Sequence, residues 1–206
     1  MKLYYSPGAC SLADHIALIE SGLPHEIEHV DLKRKITAGG SDYRLINPKG
    51  YVPALELDDG EILTENVAIL SYIAQESEVL SPPDGLDHWR VLEATAYISA
   101  EIHKGFKPFF NPASTEEDKA KAADVLLNRF ALFAEQLESQ KDAPHGPQCL
   151  FGEHPMIADC YLFVMLMWAK EKVGLDLPPA LDAYFARLSQ HPSVQQALEE
   201  EGLTPA

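Results

Sequence analysis

The sequence predicts a small α/β domain followed by an all-helical domain, and three observations predict it. Strand-like and helix-like patterns alternate through the first 78 residues, which implies a sheet with helices packed on it. The run Ser81-Pro-Pro-Asp-Gly85 then has the composition of a linker. Beyond it no alternating strand pattern returns, and the remainder reads as helix. The expected division is residues 1–78, a linker at 79–86, and a helical domain at 87–206.

In chain order, the pattern predicts a strand at 2–6, a helix at 10–22 and a strand at 26–31. A polar stretch containing Gly39-Gly40 follows, then strands at 53–58 and 61–64 and a helix at 65–77. The first helix carries Leu12, Ile16 and Ile19 at helical spacing, and Gly22 and Pro24 end it. Asp58-Asp59-Gly60, between Leu55-Glu-Leu57 and Ile62-Leu63, is a hairpin turn. Further helices are expected near 87–110, 115–140, 157–172, 179–190 and 193–200, with a Pro/Gly/His loop at 142–155.

The 206 residues are 46% hydrophobic, enough for packed cores in one large or two small domains. With 16 basic against 32 acidic residues the formal net charge is -16, which repels nucleic acid and anionic membrane surfaces. No nucleic-acid or membrane partner is expected. Cys10, Cys149 and Cys160 are odd in number and widely spaced, which suits a reducing compartment better than a disulfide framework. The chain opens directly on Lys2-Leu-Tyr-Tyr5 without a charged leader or apolar signal core, and no apolar run is long enough to span a bilayer. A cytoplasmic protein is expected.

Cys10 carries the most chemistry. It sits where the first strand hands the chain to the first helix, and unsatisfied N–H groups at a helix start favour a thiolate. Pro7 fixes the turn, while Gly8 and Ala9 admit another molecule to the backbone. The alternative is a small hydrophobe tucked under the helix. His25-Glu-Ile-Glu-His29 matches a zinc-protease spacing, but only on a helix. In a strand the two imidazoles stand about 13 Å apart, too far for one metal at roughly 2 Å ligand distances.

This chain resembles the cytosolic glutathione transferases of the bacterial beta class. The resemblance rests on Lys2-Leu-Tyr-Tyr-x-Pro-Gly-Ala-Cys-Ser-Leu12, Asn47-Pro-Lys-Gly-x-Val-Pro-Ala-Leu55, Leu63-Thr-Glu-x-Val-Ala-Ile69, Glu101-x-His-Lys-Gly-Phe106 and Ile157-Ala-Asp-x-Tyr-Leu162, in order over nearly the whole length. It implies a thioredoxin-like N-terminal domain and an all-α helical-bundle C-terminal domain, the glutathione transferase fold. It also implies a homodimer with glutathione as co-substrate, no permanently bound cofactor, and a role in detoxification.

The resemblance assigns residues one by one. Cys10 meets the glutathione sulfur, Lys35 in the basic run Lys33-Arg-Lys35 lies near the glycyl end, and Val52, before a cis Pro53, offers its backbone to the cysteinyl part. Glu65 and Asn66 hold the γ-glutamyl group at a helix start; capping alone would also explain an acidic residue there. His103 donates a hydrogen bond to a sulfur, Lys104 lies beside it, and Glu101 matches a position contributed by the partner subunit. Phe106, Phe109 and Phe110 wall the electrophile pocket.

Three positions depart from the family pattern. Asn66 stands where Ser or Gly is expected, Ala96 replaces an asparagine that bonds across the subunits, and Met156 replaces the Ser or Thr of a capping box with Asp159. The last change removes half a box, at a typical cost of about 1 kcal/mol.

The function read from these residues is conjugation of the glutathione thiol to small hydrophobic electrophiles. Two alternatives stay open. One is thiol–disulfide or peroxide reduction through a Cys10 mixed disulfide, although Ala13 and Asp14 show that no second cysteine follows closely. The other is a non-catalytic binder of hydrophobic ligands. The electrophile itself is not legible in an apolar pocket.

Overall fold

The computed structural model describes residues 1–81, 85–141 and 148–203. Part of the expected linker, residues 82–84, and part of the expected loop, residues 142–147, lie outside the described residues. The chain divides into two units, Met1–Pro83 with Ser189–Ala206, and Asp84–Leu188. The expected linker falls at the first junction, but the sequence reading assigned the last segment to the helical domain.

In the first unit, β1 (Lys2–Tyr5), α1 (Leu12–Ser21), β2 (Glu26–Asp31), β3 (Ile36–Thr37), β4 (Ala54–Glu56), β5 (Ile62–Thr64) and α2 (Asn66–Glu76) follow the predicted order. The two-residue β3 and a 3-10 turn at Tyr43–Leu45 are additions. The sheet order is β3-β2-β1-β4-β5, with β1 and β2 parallel and every other pair antiparallel. The parallel pair requires a crossover, and α1 supplies it. His25-Glu-Ile-Glu-His29 largely forms β2, as the strand reading requires.

Period-two alternation along β1 sends Leu3 and Tyr5 to one face and Tyr4 to the other. Tyr4 there packs with Val30, Tyr43, Val52 and Ala54, all buried. Full burial of a valine such as Val30 contributes about 1.5–3 kcal/mol. That cluster fixes the segment leading to Val52. Gly22, at φ +68°, ends α1 in the left-handed conformation open to glycine.

The second unit contains α3 (Leu86–Tyr97), α4 (Lys107–Phe110), α5 (Glu116–Ser139), α6 (Ile157–Met167) and α7 (Pro179–Leu188). Thr115 caps α5 and its hydroxyl meets the Asp118 N–H at 3.1 Å, while Asp118 returns a bond to the Thr115 N–H at 2.9 Å. All of α6 is buried, which identifies it as the central helix of this unit. The sequence reading predicts continuous helices at 87–110 and 157–172. The structure instead has π-helical turns at Ile98–His103 and Trp168–Val173. A π turn widens a single turn by about one residue, a local change that hydrophobic periodicity read over a whole helix does not register.

The closing helix, α8 (Pro192–Glu200), packs on α1. This contact is why Ser189–Ala206 groups with the first unit. No helix among the described residues is long and apolar enough to cross a membrane.

Candidate active site

Cys10 lies in the turn between β1 and α1. The Ala9 N–H bonds to the Ser6 carbonyl at 3.0 Å, and Gly8, at φ +62°, takes a conformation that a larger residue rarely adopts. The outer side of the turn is tied down by the end of the chain. Glu201 accepts the Gly8 N–H at 2.8 Å and lies 3.1 Å from His15 Nδ1, while Glu200 lies 2.9 Å from His15 Nε2. His15 and the Glu201 side chain are fully buried, so breaking this contact would strand a buried polar group.

The Cys10 thiol points into this unit and donates to the Val52 carbonyl at 3.4 Å. Its pKa is pushed up to about 12, first by burial and then by the Asp14 carboxyl; the N–H groups of Cys10 and Ser11 oppose the shift only in part. The expected thiolate is therefore corrected to a neutral thiol. Helix-start N–H groups are present, but desolvation outweighs them.

Asn66 also has partners within the protein. Its amide turns inward and donates to the Cys10 carbonyl at 2.9 Å and to Asp14 Oδ2 at 2.8 Å. Asp14 is fully buried and held well above the ordinary carboxyl range, chiefly by desolvation.

The expected glutathione corner is built around residues 49–52. Lys35 donates to the Gly50 carbonyl at 2.6 Å, and Asn47 and Tyr43 both donate to the Tyr51 carbonyl, at 2.7 and 3.1 Å. The Val52–Pro53 bond is cis. Glu65, at φ +77° just before α2, accepts from Lys49 Nζ at 2.5 Å and from the Tyr51 hydroxyl at 2.8 Å. Sequence reasoning missed Lys49 and Tyr51 as partners of Glu65. The signal available was their position inside the Asn47–Leu55 motif. Lys33 and Arg34 are exposed, and their N–H groups bond to Asp31.

In the helical unit, His103 closes the first π turn. Its Nδ1 lies 2.7 Å from the Tyr161 hydroxyl, and its ring packs edge-on against Trp168 at 5.2 Å. Burial, with Lys104 adding repulsion, pushes its pKa down to about 4, so the imidazole is neutral near pH 7. Phe106 is fully enclosed and meets Phe109, Phe110 and Trp168; it supports the aromatic cluster, while Phe110 is half exposed. Tyr161 and Trp168 were not anticipated as partners of His103. They are two helical turns apart, a spacing that puts them on one face.

Lys104 and Ala96 are exposed, and Glu101 pairs with Arg129, which also donates to the Glu101 carbonyl. Asp159 bonds the Met156 N–H as the capping reading expects, and also the Leu150 N–H and the Tyr184 hydroxyl. Cys149 and Cys160 are both buried.

Direct bonds thus join Cys10, Val52 and Asn66, while Lys35 and Glu65 reach the adjoining segment 49–52. A separate cavity of about 400 Å³ lies at the start of β1 and β2, lined by Lys2, His25, Glu26, Glu56 and Asp58 among others, and holds none of these residues. Among the described residues, no group of three or more His, Cys, Asp or Glu is placed to hold a metal ion.

The family models "Glutathione S-transferase, N-terminal domain" and "Glutathione S-transferase, C-terminal domain" match residues 9–76 and 97–192. The chain is 41% identical to glutathione S-transferase GstA of Escherichia coli O157:H7, over 98% of this chain and all of that one. Among solved structures it is similar to a bacterial beta class glutathione S-transferase from Sphingomonas chungbukensis, at 42% identity and TM-score 0.88 over 99% of this chain and all of that one. It is also similar to a sphingomonad glutathione S-transferase complexed with glutathione, at 44% identity and TM-score 0.88 with the same coverage.

Proposed function

This chain belongs to the glutathione S-transferase family, in its bacterial beta class, and from that premise we propose that it joins the sulfur of glutathione to small hydrophobic electrophiles. Glutathione acts as co-substrate, no cofactor is permanently bound, and the enzyme works as a cytoplasmic homodimer with Glu101 serving the neighbouring subunit. The tripeptide lies along Cys10, Lys35, Val52, Pro53, Glu65 and Asn66. His103, Lys104 and the Phe106–Phe110 segment are the helical unit's share of the machinery.

The observation that carries this reading is the placement of Cys10 at the head of α1 with its thiol against the Val52 backbone, before cis Pro53, while Lys35 and Glu65 reach the adjoining 49–52 segment. A conjugating enzyme must stabilise glutathione as a thiolate. A second thiolate beside it would repel that charge, whereas a protonated Cys10 does not, and its one S–H can turn from the Val52 carbonyl to the incoming sulfur. The thiolate then attacks the electrophilic carbon, a C–S bond forms, and the leaving group departs with its electron pair. Holding both reactants in one site supplies the effective concentration. Disulfide exchange would instead need Cys10 itself ionised.

Glu65 fits the γ-glutamyl ammonium, since Lys49 and Tyr51 already orient its carboxylate. Calorimetry on Glu65→Ala is expected to show glutathione binding weakened by at least about tenfold, the loss of one charge-assisted contact. Unchanged affinity removes Glu65 from the site. Sedimentation of the wild type should give about twice the chain mass, and a fully active monomer would exclude the contribution of Glu101.

A further inference from the structure

The conjugation reading leaves one cation beside Glu65 without a task. Lys49 Nζ donates to Glu65 Oε1 at 2.5 Å and to the Thr64 hydroxyl at 2.9 Å, and the Tyr51 hydroxyl donates to the same Glu65 oxygen at 2.8 Å. The Lys49 and Glu65 side chains are 44% and 56% exposed, and an ion pair so open to water contributes little to a fold. Yet Glu65 is held at φ +77°, and Lys35 is the other non-glycine residue at positive φ among the described residues. A side chain kept on backbone that favours glycine points to a use for that side chain.

A lysine ammonium has three N–H donors, and among the described residues that of Lys49 has two acceptors, which leaves one N–H for a ligand. The neighbouring donors are committed elsewhere. Lys35 reaches the Gly50 carbonyl at 2.6 Å, and Asn66 spends both hydrogens of its amide nitrogen inward, on the Cys10 carbonyl and on Asp14.

We infer that Lys49 and Glu65 together read the α-amino-acid head of glutathione's γ-glutamyl group, Glu65 taking its ammonium and Lys49 its carboxylate. This rests on the reading that places the γ-glutamyl end at Glu65, and it adds Lys49 as a specificity-determining residue. The head group is a zwitterion with both charges on one carbon, so an ion pair with its two charges in contact is its complement.

Before glutathione arrives, Lys49 is the counter-ion of Glu65. When the ligand ammonium reaches the Glu65 carboxylate, Lys49 turns to the ligand carboxylate, and the charges at this corner stay balanced through the exchange. A ligand with the ammonium alone competes with Lys49 for Glu65 and gives Lys49 no anion in return. A ligand with the carboxylate alone brings a like charge toward Glu65.

The test is calorimetry with three thiols: glutathione, 4-aminobutanoyl-cysteinylglycine, which lacks the α-carboxylate, and glutaryl-cysteinylglycine, which lacks the α-ammonium. Wild type is compared with Lys49→Met, which keeps the length of the side chain and removes its charge. The variant is expected to bind glutathione about tenfold more weakly, the worth of one charge-assisted contact, and the 4-aminobutanoyl compound within about twofold of wild type. Equal weakening of both ligands, or weakening of neither, overturns the inference and leaves the placement at Glu65 standing. The glutaryl compound tests that placement separately: wild type should bind it about tenfold more weakly than glutathione. Equal binding of those two would overturn the placement, and the inference with it.

Discussion

Asp159→Ala is expected to destabilise the protein by about 3–5 kcal/mol, lowering the melting temperature on the order of 10 °C. Asp159 is fully buried in α6 and accepts from the Leu150 N–H at 2.8 Å, the Met156 N–H at 2.8 Å and the Tyr184 hydroxyl at 2.6 Å. Alanine leaves the Leu150 N–H and the Tyr184 hydroxyl buried, and the Met156 N–H half-buried, without this acceptor. Burial raises the Asp159 pKa while these three bonds oppose the rise, so the carboxylate is held in place by the donors it satisfies. Asp159→Asn keeps one oxygen and should lose about half as much. Thermal and urea unfolding of the two variants measure this, and an alanine variant within about 1 kcal/mol of wild type would show that the network is dispensable.

Cys10→Ala separates the two enzyme readings. Conjugation uses the sulfur of glutathione, so the variant should lose about tenfold in kcat/KM, the worth of one hydrogen bond to a thiolate. Glutathione-dependent disulfide reduction through a Cys10 adduct should disappear, because its nucleophile is gone. Loss of conjugation by more than about a thousandfold would make Cys10 the attacking group and contradict its role as a donor.

What the sequence made legible divides by the range of the interactions. The Asp58-Asp59-Gly60 hairpin is local turn chemistry, and β4 and β5 pair across it as read. The first helix and its glycine stop are local in the same way. The return of α8 onto α1 was not legible, since an amphipathic pattern at 193–200 declares a helix but not what it packs against. The environment of Cys10 escaped for the same reason. A helix start favours thiolate in isolation, but the burial that reverses it comes from segments distant in sequence.

Asn66 is the instructive case. It stood out as a departure from the family pattern, yet its partner Asp14 lies 52 positions away and nothing between them links the two. Lys49 and Tyr51 lie inside the Asn47–Leu55 motif, but a sequence does not show that their side chains turn to Glu65, 16 and 14 positions on. Of the basic run Lys33-Arg-Lys35, Lys35 alone reaches the 49–52 segment. His103 was singled out, but a π turn and two aromatic neighbours from the α6 segment define its surroundings.

The most direct test of the account is a turnover screen of the wild-type protein with reduced glutathione against aryl halides, epoxides, disulfides and peroxides. Products are identified by mass spectrometry, and each reaction is repeated without glutathione. The account predicts thioether products from at least one electrophile class, strictly dependent on glutathione, at rates exceeding disulfide and peroxide reduction. Turnover confined to disulfides and peroxides, or tight binding of hydrophobic compounds with no product in any class, would contradict it.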